Sequence, residues 1–209
     1  MSETARAPVA GAELCGGRAE RLRYVGYRVW YGLPPMRWRR LDWCRVRRLV
    51  FVCTGNICRS PYAEARCREL GLAASSFGIR AGAGTPADAT GQRVAAGRGI
   101  DLTWHRARAA SQVPLERHDL VLCFTPAQAR AIRASARAAG AQVSLLGLWC
   151  RPIRPHLPDP FGHGPGAFVA CFGVIDEALV ALHTKVSGAS GRPACERPGQ
   201  PHPESHSRA

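Results

Sequence analysis

The chain alternates short apolar runs with segments whose apolar residues recur at helical spacing. Residues 49–52 form an unbroken apolar run, which is typical of a strand buried on both faces. Further strands are predicted over residues 77–81, 119–124 and 142–146, and helices over residues 61–72, 92–99, 126–139 and 167–185. Strands that alternate with helices predict an α/β fold with a parallel sheet, which binds ligands at the carboxyl ends of its strands.

The segment from Cys53 to Arg59 is a seven-residue loop between the first strand and the helix that Ser60-Pro61 opens. The free backbone N–H groups of such a loop point inward and form a cradle for a dianion such as phosphate. Cys53 lies in the same positive field, so we expect its thiol to ionise at neutral pH. Arg59 can hold two phosphate oxygens with its planar guanidinium. The loop therefore predicts a thiol nucleophile at a phosphate site.

The residues that fill the loop carry this prediction. Gly55 and Asn56 are types that readily adopt the left-handed backbone of a tight loop, and the Ser60 hydroxyl can donate to the thiolate. The bare Cys-x5-Arg spacing occurs a second time, from Cys15 to Arg21, with no strand before it and no Ser-Pro after it. The strand–loop–helix context therefore counts for more than the spacing.

The sequence VFVCTGNICRSP closely resembles the phosphate-binding loop of the low molecular weight protein tyrosine phosphatases, and the resemblance extends over roughly residues 48–185. It implies a four-stranded parallel sheet flanked by helices on both faces, with the phosphate-binding loop after the first strand. It also implies hydrolysis of phosphotyrosine through a phosphocysteine intermediate, without a metal or other cofactor. The expected substrate-binding residues are Thr54, Gly55, Asn56, Ile57, Cys58, Ser60 and Phe161.

Asp159 is the predicted acid and base of this reaction. It lies in the sequence LPDPF, where prolines on both sides stiffen the backbone. Transfer of a phosphate monoester to a thiolate needs an acid for the leaving oxygen and then a base for the attacking water, and one carboxyl group can serve both steps. The family has an Asp-Pro-aromatic loop with this role, so the predicted catalytic residues are Cys53, Arg59 and Asp159.

Two further roles follow from the resemblance. Cys58 is expected to form a disulfide with Cys53 under oxidation and so protect the nucleophile, with a plain helix-packing role as the alternative. His105, in WHRARAA, resembles the family's His-x-Ala-Arg segment, in which the histidine supports the asparagine of the loop. A surface histidine is the alternative.

The chain also departs from the family's pattern after the second strand. Arg80-Ala81-Gly82 stands where many relatives have Ser-Ala-Gly, so no serine is expected to support the phosphate loop. The glycine-rich segment that follows is short and lacks the bulky residue that often lines the phenol slot. Phe161 is then the remaining predicted wall.

The sequence divides into an N-terminal extension (1–45, partly disordered), a phosphatase domain (46–185) and a disordered tail (186–209). Residues 21–45 interleave arginines with three of the five tryptophans and three of the four tyrosines, a composition that suits an anionic membrane surface or a partner protein. The alternatives are that these aromatic residues pack on the domain, or that translation begins at Met36. The family resemblance says nothing about this extension.

Composition sets the remaining expectations. The net charge is +14, but only Lys185 among 29 cations is a lysine, which indicates coding bias and makes a nucleic-acid partner unlikely. Nine irregularly spaced cysteines predict neither a disulfide framework nor a zinc site, and no secretory or membrane-spanning segment is recognised. We therefore expect a cytoplasmic enzyme, peripheral at the inner membrane if the extension docks there.

The expected partner is a phosphotyrosine protein, since bacterial members of the family often act on membrane tyrosine autokinases of exopolysaccharide export. One alternative is a thiol-dependent arsenate reductase, which needs two further cysteines and finds only Cys123 in the matching region. The other alternative is a non-catalytic module that binds phosphate or nucleic acid, which would be expected to lack Cys53, Arg59 or Asp159.

Overall fold

The computed structural model describes residues 41–190, together with Leu22, Val25 and Gly26. The predictions of disorder for residues 1–20 and 191–209 lie outside this part of the chain. The division into extension, domain and tail stays a prediction.

Four parallel strands form one sheet in the order β2-β1-β3-β4. The central strand β1 (Arg48–Cys53) pairs with β2 (Ala74–Gly78) on one side and with β3 (Asp119–Cys123) on the other. Strand β4 (Gln142–Leu145) pairs with β3 at the far edge. All of β1 after Arg48 is buried, as the unbroken apolar run predicts for a sheet covered on both faces.

Helices cover both faces of this sheet, as predicted. Leu49 and Phe51 of β1 face the larger core, which contains helices α1 (Arg59–Glu69), α2 (Ala89–Ala96) and α4 (Gly164–Ser190). Val50 and Val52 face a smaller core beneath helix α3 (Pro126–Ala138). The alternation of side chains along the strand separates the two cores. The phosphate-binding loop follows the carboxyl end of β1 and connects this strand to α1.

Several predicted boundaries were wrong by a few residues. Strand β2 lies three residues before the predicted segment 77–81, because Ser75 and Ser76 have the polarity of a loop but are buried in the strand. Helix α2 begins at Ala89 rather than at residue 92, because the Asp88 carboxylate accepts a hydrogen bond from the Gly91 N–H and caps it. Gly99, predicted to end this helix, lies beyond it with φ +79°.

Helix α4 extends beyond the predicted end of the domain. It continues to Ser190, so residues 186–190 are helical rather than part of a tail. Gly164–Ala189 is long and apolar enough, by composition, to cross a membrane. Its apolar residues Phe168, Phe172, Ile175 and Leu182 are instead buried in the larger core. We therefore assign α4 as the core helix of the domain.

Residues 42–45 are also part of the folded domain. The Asp42 N–H donates to the Gln142 side chain at 2.7 Å, and the Trp43 ring meets the Trp149 ring edge-on at 5.2 Å. The Arg45 guanidinium donates to the carbonyl oxygens of Arg117 and Gly140 at 3.0 and 2.8 Å. Trp43 thus follows the alternative in which aromatic residues before the loop pack on the domain.

Candidate active site

Neighbouring segments hold the phosphate-binding loop in place by donating hydrogen bonds to its carbonyl oxygens. The carbonyl oxygens of Cys53 and Thr54 accept the N–H groups of Ile79 and Arg80 at 3.0 and 2.8 Å. The carbonyl oxygen of Ile57 accepts the Asp88 N–H at 2.9 Å. Because these carbonyls point away from the loop centre, the peptide N–H groups turn toward it, which is the arrangement that binds an anion.

The Cys53 sulfur lies at the base of this loop and is buried. It accepts the backbone N–H of Asn56 at 3.2 Å and lies 3.0 Å from the Ser60 hydroxyl oxygen. Both groups are placed to donate a hydrogen bond to the sulfur. Ser60 opens α1, as the Ser-Pro signal predicted, although the helix itself begins one residue earlier, at Arg59.

Asn56 connects the loop to three neighbouring elements. It is fully buried, and it is the sole non-glycine residue with positive φ, +56°, in the described part of the chain. Its side-chain N–H groups donate to the hydroxyls of Ser60 and Ser76 at 2.8 Å each, and its side-chain oxygen accepts the Arg108 N–H at 2.8 Å. Gly55, expected to share the left-handed backbone, does not have a positive φ.

The expectation that no serine supports the loop was wrong. Ser76 lies in the middle of β2, four residues before Arg80, and its hydroxyl accepts from Asn56 while donating to the buried Glu64 carboxylate. Arg108 donates to both oxygens of that carboxylate at 2.9 and 2.8 Å. Strand β2 lies three residues earlier than predicted. The supporting serine is therefore found two residues before Gly78, and not two residues before Gly82, where the family's Ser-Ala-Gly pattern was expected. A serine inside a strand-like run was the signal available in the sequence.

His105 and Thr54 make the remaining contacts of the loop. The His105 ring N–H donates to the Asn56 carbonyl oxygen at 2.7 Å, so Nε2 carries the proton. Burial lowers the pKa of His105, an effect that this hydrogen bond partly offsets, and the neutral ring is therefore favoured. Thr54 Oγ1 accepts from the Gln128 side chain at 3.3 Å. Gln128, on α3, was not anticipated from the sequence.

Arg59 and Asp159 meet across the mouth of the loop. The Arg59 guanidinium is buried and donates to the Leu157 carbonyl oxygen at 3.0 Å and to the Asp159 carboxylate at 2.5 Å. Its Nε is buried and has no hydrogen-bond partner within the described chain, so it can still donate to an oxyanion. The Asp159 side chain is 45% exposed, so it can also reach a bound substrate.

Close backbone contacts position the segment that carries Asp159. The Leu157 N–H donates to the Phe124 carbonyl oxygen at 2.8 Å, directly after β3. The Arg154 N–H donates to the Gly147 carbonyl oxygen at 2.8 Å, and a Cβ at Gly147 would overlap the Arg154 backbone. These contacts connect the segment to the carboxyl ends of β3 and β4. Asp159 therefore contacts Arg59 of the loop, although the two residues are 100 positions apart in the sequence.

Two exposed apolar side chains belong to residues beside the site. Phe161, two residues after Asp159, is 57% exposed, and its role as one wall of a slot stays a prediction. Ile79 is 36% exposed, and its N–H donates to the Cys53 carbonyl oxygen, so a bulky apolar residue does follow β2. It lies before the glycine-rich segment that was expected to lack such a residue.

Cys58 lies buried at the start of α1. Burial raises the pKa of its thiol, and the nearby carboxylates of Asp159 and Asp88 raise it further, so Cys58 stays protonated at neutral pH. It is therefore a poor nucleophile beside Cys53. A disulfide between Cys53 and Cys58 stays a prediction.

The family described as low molecular weight phosphotyrosine protein phosphatase matches residues 48–190. The protein-tyrosine-phosphatase Etp of Escherichia coli (strain K12) is 32% identical over 132 residues, which cover 62% of this chain and 88% of Etp. The structure of Vibrio vulnificus Wzb in complex with benzylphosphonate is 30% identical and covers 66% of this chain and 98% of that one, with a TM-score of 0.58. A YwlE arginine phosphatase from Geobacillus stearothermophilus is 26% identical and covers 68% and 94%, with a TM-score of 0.60.

The chain belongs to the low molecular weight protein tyrosine phosphatase family. It is a phosphoric monoester hydrolase that acts on phosphotyrosine through a phosphocysteine intermediate, as the family does. The resemblance, the fold and the enzyme class predicted from the sequence are confirmed, and the arsenate-reductase and non-catalytic alternatives are set aside.

Proposed function

We propose that Cys53, Arg59 and Asp159 perform the two steps of phosphotyrosine hydrolysis. The observation that carries this assignment is the buried Cys53 sulfur, with two potential donors at 3.0 and 3.2 Å, at the base of a loop closed by Arg59 and Asp159. Substrate phosphate binds the loop N–H groups of residues 54–58, and its oxygens replace Asp159 as partners of the Arg59 guanidinium. Asp159 is thereby released toward the leaving oxygen.

In the first step the Cys53 thiolate attacks phosphorus, the sulfur–phosphorus bond forms, and the bond to the phenolic oxygen breaks. The Asp159 carboxyl group gives its proton to that oxygen. In the second step the Asp159 carboxylate takes a proton from water, which attacks phosphorus and releases phosphate and the thiolate. Arg59 and the loop N–H groups stabilise the charge on the equatorial oxygens in both transition states.

The test is hydrolysis of p-nitrophenyl phosphate without added metal, with wild type, Cys53→Ser, Arg59→Lys and Asp159→Ala. Cys53→Ser should abolish turnover. Asp159→Ala should lose about 10²–10⁴-fold in kcat, the usual contribution of general acid–base catalysis. Asp101→Ala, which removes an exposed carboxylate from an unrelated turn, is the matched control and should retain wild-type turnover.

Acid quenching and intact mass measurement give a second readout. Wild type should carry a covalent phosphate during turnover, and Cys53→Ala, which lacks a nucleophilic side chain, should carry none. Asp159→Ala should still become phosphorylated by a substrate with a good leaving group and should release phosphate slowly. Full turnover by Cys53→Ser, or equal turnover by wild type and Asp159→Ala, would contradict the assignment.

The mouth of the site supports an aromatic substrate. Phe161 is exposed two residues after Asp159, and exposed Ile79 bonds the Cys53 carbonyl oxygen through its N–H; apolar side chains of this kind pack against a phenyl ring. Because one structural neighbour is an arginine phosphatase, phosphotyrosine, phosphoserine and phosphoarginine peptides should be compared. We expect phosphotyrosine to have the highest kcat/KM, and Phe161→Ala to reduce it by raising KM. A higher kcat/KM for the phosphoarginine peptide would contradict phosphotyrosine as the preferred substrate.

We further propose a cytoplasmic phosphatase that acts on a membrane tyrosine autokinase and docks on the anionic inner membrane through its basic, aromatic extension. Since Asp42, Trp43 and Arg45 are engaged with the domain, residues 21–40 are the segment available for docking. Exposed arginines at positions 130 and 133 of α3, which contains no acidic residue, support the same attraction to anionic lipid.

Vesicle sedimentation tests this docking. Full-length protein and a deletion of residues 1–40 should turn over p-nitrophenyl phosphate equally, while the deletion binds phosphatidylserine vesicles less well. Neutral phosphatidylcholine vesicles are the control for charge. Equal binding of both proteins to the anionic vesicles would contradict docking through the extension.

A further inference from the structure

One arginine at the rim of the phosphate-binding loop has no part in the proposed chemistry. The Arg80 N–H donates to the Thr54 carbonyl oxygen at 2.8 Å, so residue 80 lies beside the residue that follows the nucleophile. Its side chain is exposed. Among residues 41–190, its guanidinium has no hydrogen-bond or ion-pair partner, in contrast to the paired guanidinium of Arg59 or Arg108.

The backbone around Arg80 is held tightly against the loop. A Cβ at Gly78 would lie 2.8 Å from the Thr54 carbonyl oxygen and 2.9 Å from both the Asn56 nitrogen and the Ala81 Cβ. The Ile79 N–H adds a bond to the Cys53 carbonyl oxygen. The position of residue 80 is therefore set by packing on the phosphate loop. Residues 81–84, Ala-Gly-Ala-Gly, carry no large or charged side chain that would cover it.

The charged groups near the mouth differ in whether they have partners. The Asp88 N–H donates to the Ile57 carbonyl oxygen of the loop, and the Asp88 carboxylate caps α2. The Asp159 carboxylate pairs with Arg59. The carboxylates near the mouth are thus engaged, whereas the charge of Arg80 on the Thr54 side is uncompensated.

We propose that Arg80 binds an acidic side chain next to the phosphotyrosine in the protein substrate. This inference rests on the proposed function, because it requires a phosphotyrosine ring in the slot above Cys53. With the ring in place, the substrate backbone crosses the rim, and residues in an extended chain follow one another at about 3.3 Å. Glutamate or aspartate one or two residues from the phosphotyrosine then lies beside Arg80, whose planar guanidinium can pair with a carboxylate through two hydrogen bonds.

The experiment uses two phosphotyrosine peptides that differ only at the two residues on each side, glutamate in one and glutamine in the other. Full-length wild type, Arg80→Ala, Arg80→Lys and Arg80→Glu are compared at low salt. Each kcat/KM is divided by the same variant's value for p-nitrophenyl phosphate, so that a general loss of activity cancels. Arg137→Ala and Arg137→Glu, at the exposed far end of α3, are matched controls for net charge.

An exposed ion pair predicts that wild type prefers the glutamate peptide by about two- to fivefold. Arg80→Ala should bring the ratio close to one through KM, Arg80→Glu should reverse it, and Arg80→Lys should keep part of it. The Arg137 variants should keep the wild-type ratio, and added salt should reduce it. An unchanged ratio in Arg80→Ala, or an equal loss in the Arg137 variants, would overturn the proposal. If wild type does not hydrolyse p-nitrophenyl phosphate at all, that result would instead contradict the proposed function.

Discussion

Replacement of Asn56 by alanine tests how the phosphate-binding loop keeps its shape. The change removes two donated hydrogen bonds and leaves the Arg108 N–H without its acceptor. A buried donor left without a partner costs about 1–3 kcal/mol. Alanine must also adopt φ +56°, where a residue with a Cβ and no compensating side-chain bond pays about 1–2 kcal/mol. We therefore expect Asn56→Ala to lower the free energy of unfolding by about 3 kcal/mol.

For a chain of this size, that loss corresponds to a decrease in Tm of about 6–12 °C. We also expect kcat for p-nitrophenyl phosphate to fall by about 10²-fold, since a misplacement of about 1 Å in a positioned group has that effect. Differential scanning fluorimetry and steady-state kinetics measure the two quantities. Asn56→Gly is the control, because glycine adopts the left-handed backbone without strain but lacks the side-chain bonds.

The two variants separate backbone strain from hydrogen bonding. If the side-chain bonds hold the loop, Asn56→Gly should lose activity to a similar extent as Asn56→Ala. Wild-type kcat in Asn56→Gly would refute this reasoning, and so would a Tm of Asn56→Ala within about 2 °C of wild type.

Three further predictions concern the surroundings of the loop. Because burial lowers the pKa of His105, the free energy of unfolding should fall as the pH drops below the ordinary value of 6.5; the stability difference between wild type and His105→Gln in urea should therefore shrink from pH 7.5 to pH 5.5. Gly78→Ala forces a Cβ to within 2.8 Å of the Thr54 carbonyl oxygen and should reduce both Tm and kcat, whereas Gly97→Ala, with ordinary contacts, should not. Tyr62→Phe removes the hydroxyl that donates to Asp176 at 2.9 Å and should cost about 1–2 kcal/mol, seen as a lower Tm with unchanged turnover.

The local signals in the sequence predicted the elements that depend on neighbouring residues. The unbroken apolar run of β1, the seven-residue loop and the Ser-Pro start of α1 lie where they were expected. The α/β architecture with one parallel sheet also followed from the alternation of strands and helices. Each of these features is encoded within about ten residues, where periodicity and backbone preference decide the outcome.

Features that depend on distant partners were missed or misplaced. Ser75 and Ser76 fall outside the predicted strand 77–81, because polarity alone does not reveal that Ser76 contacts Glu64 and Asn56 inside the domain. The shift of β2 then concealed the supporting serine. Buried polar residues are stable in a strand only when tertiary contacts satisfy them, and those contacts cannot be counted from the chain alone.

By itself the sequence determined which residue types are present: a cysteine and an arginine in the loop, and an aspartate in a distant segment. These are the types that phosphate-ester hydrolysis requires. The tertiary structure decided how these residues meet. Asp159 reaches Arg59 across 100 positions because parallel strands bring their carboxyl ends to one edge of the sheet. The loop carbonyls accept hydrogen bonds from the two residues after β2, from the N-cap residue of α2 and from His105, and this external bonding turns the loop N–H groups inward. The physical reason is that an anion site needs donors fixed in three dimensions, and only packing between distant elements fixes them.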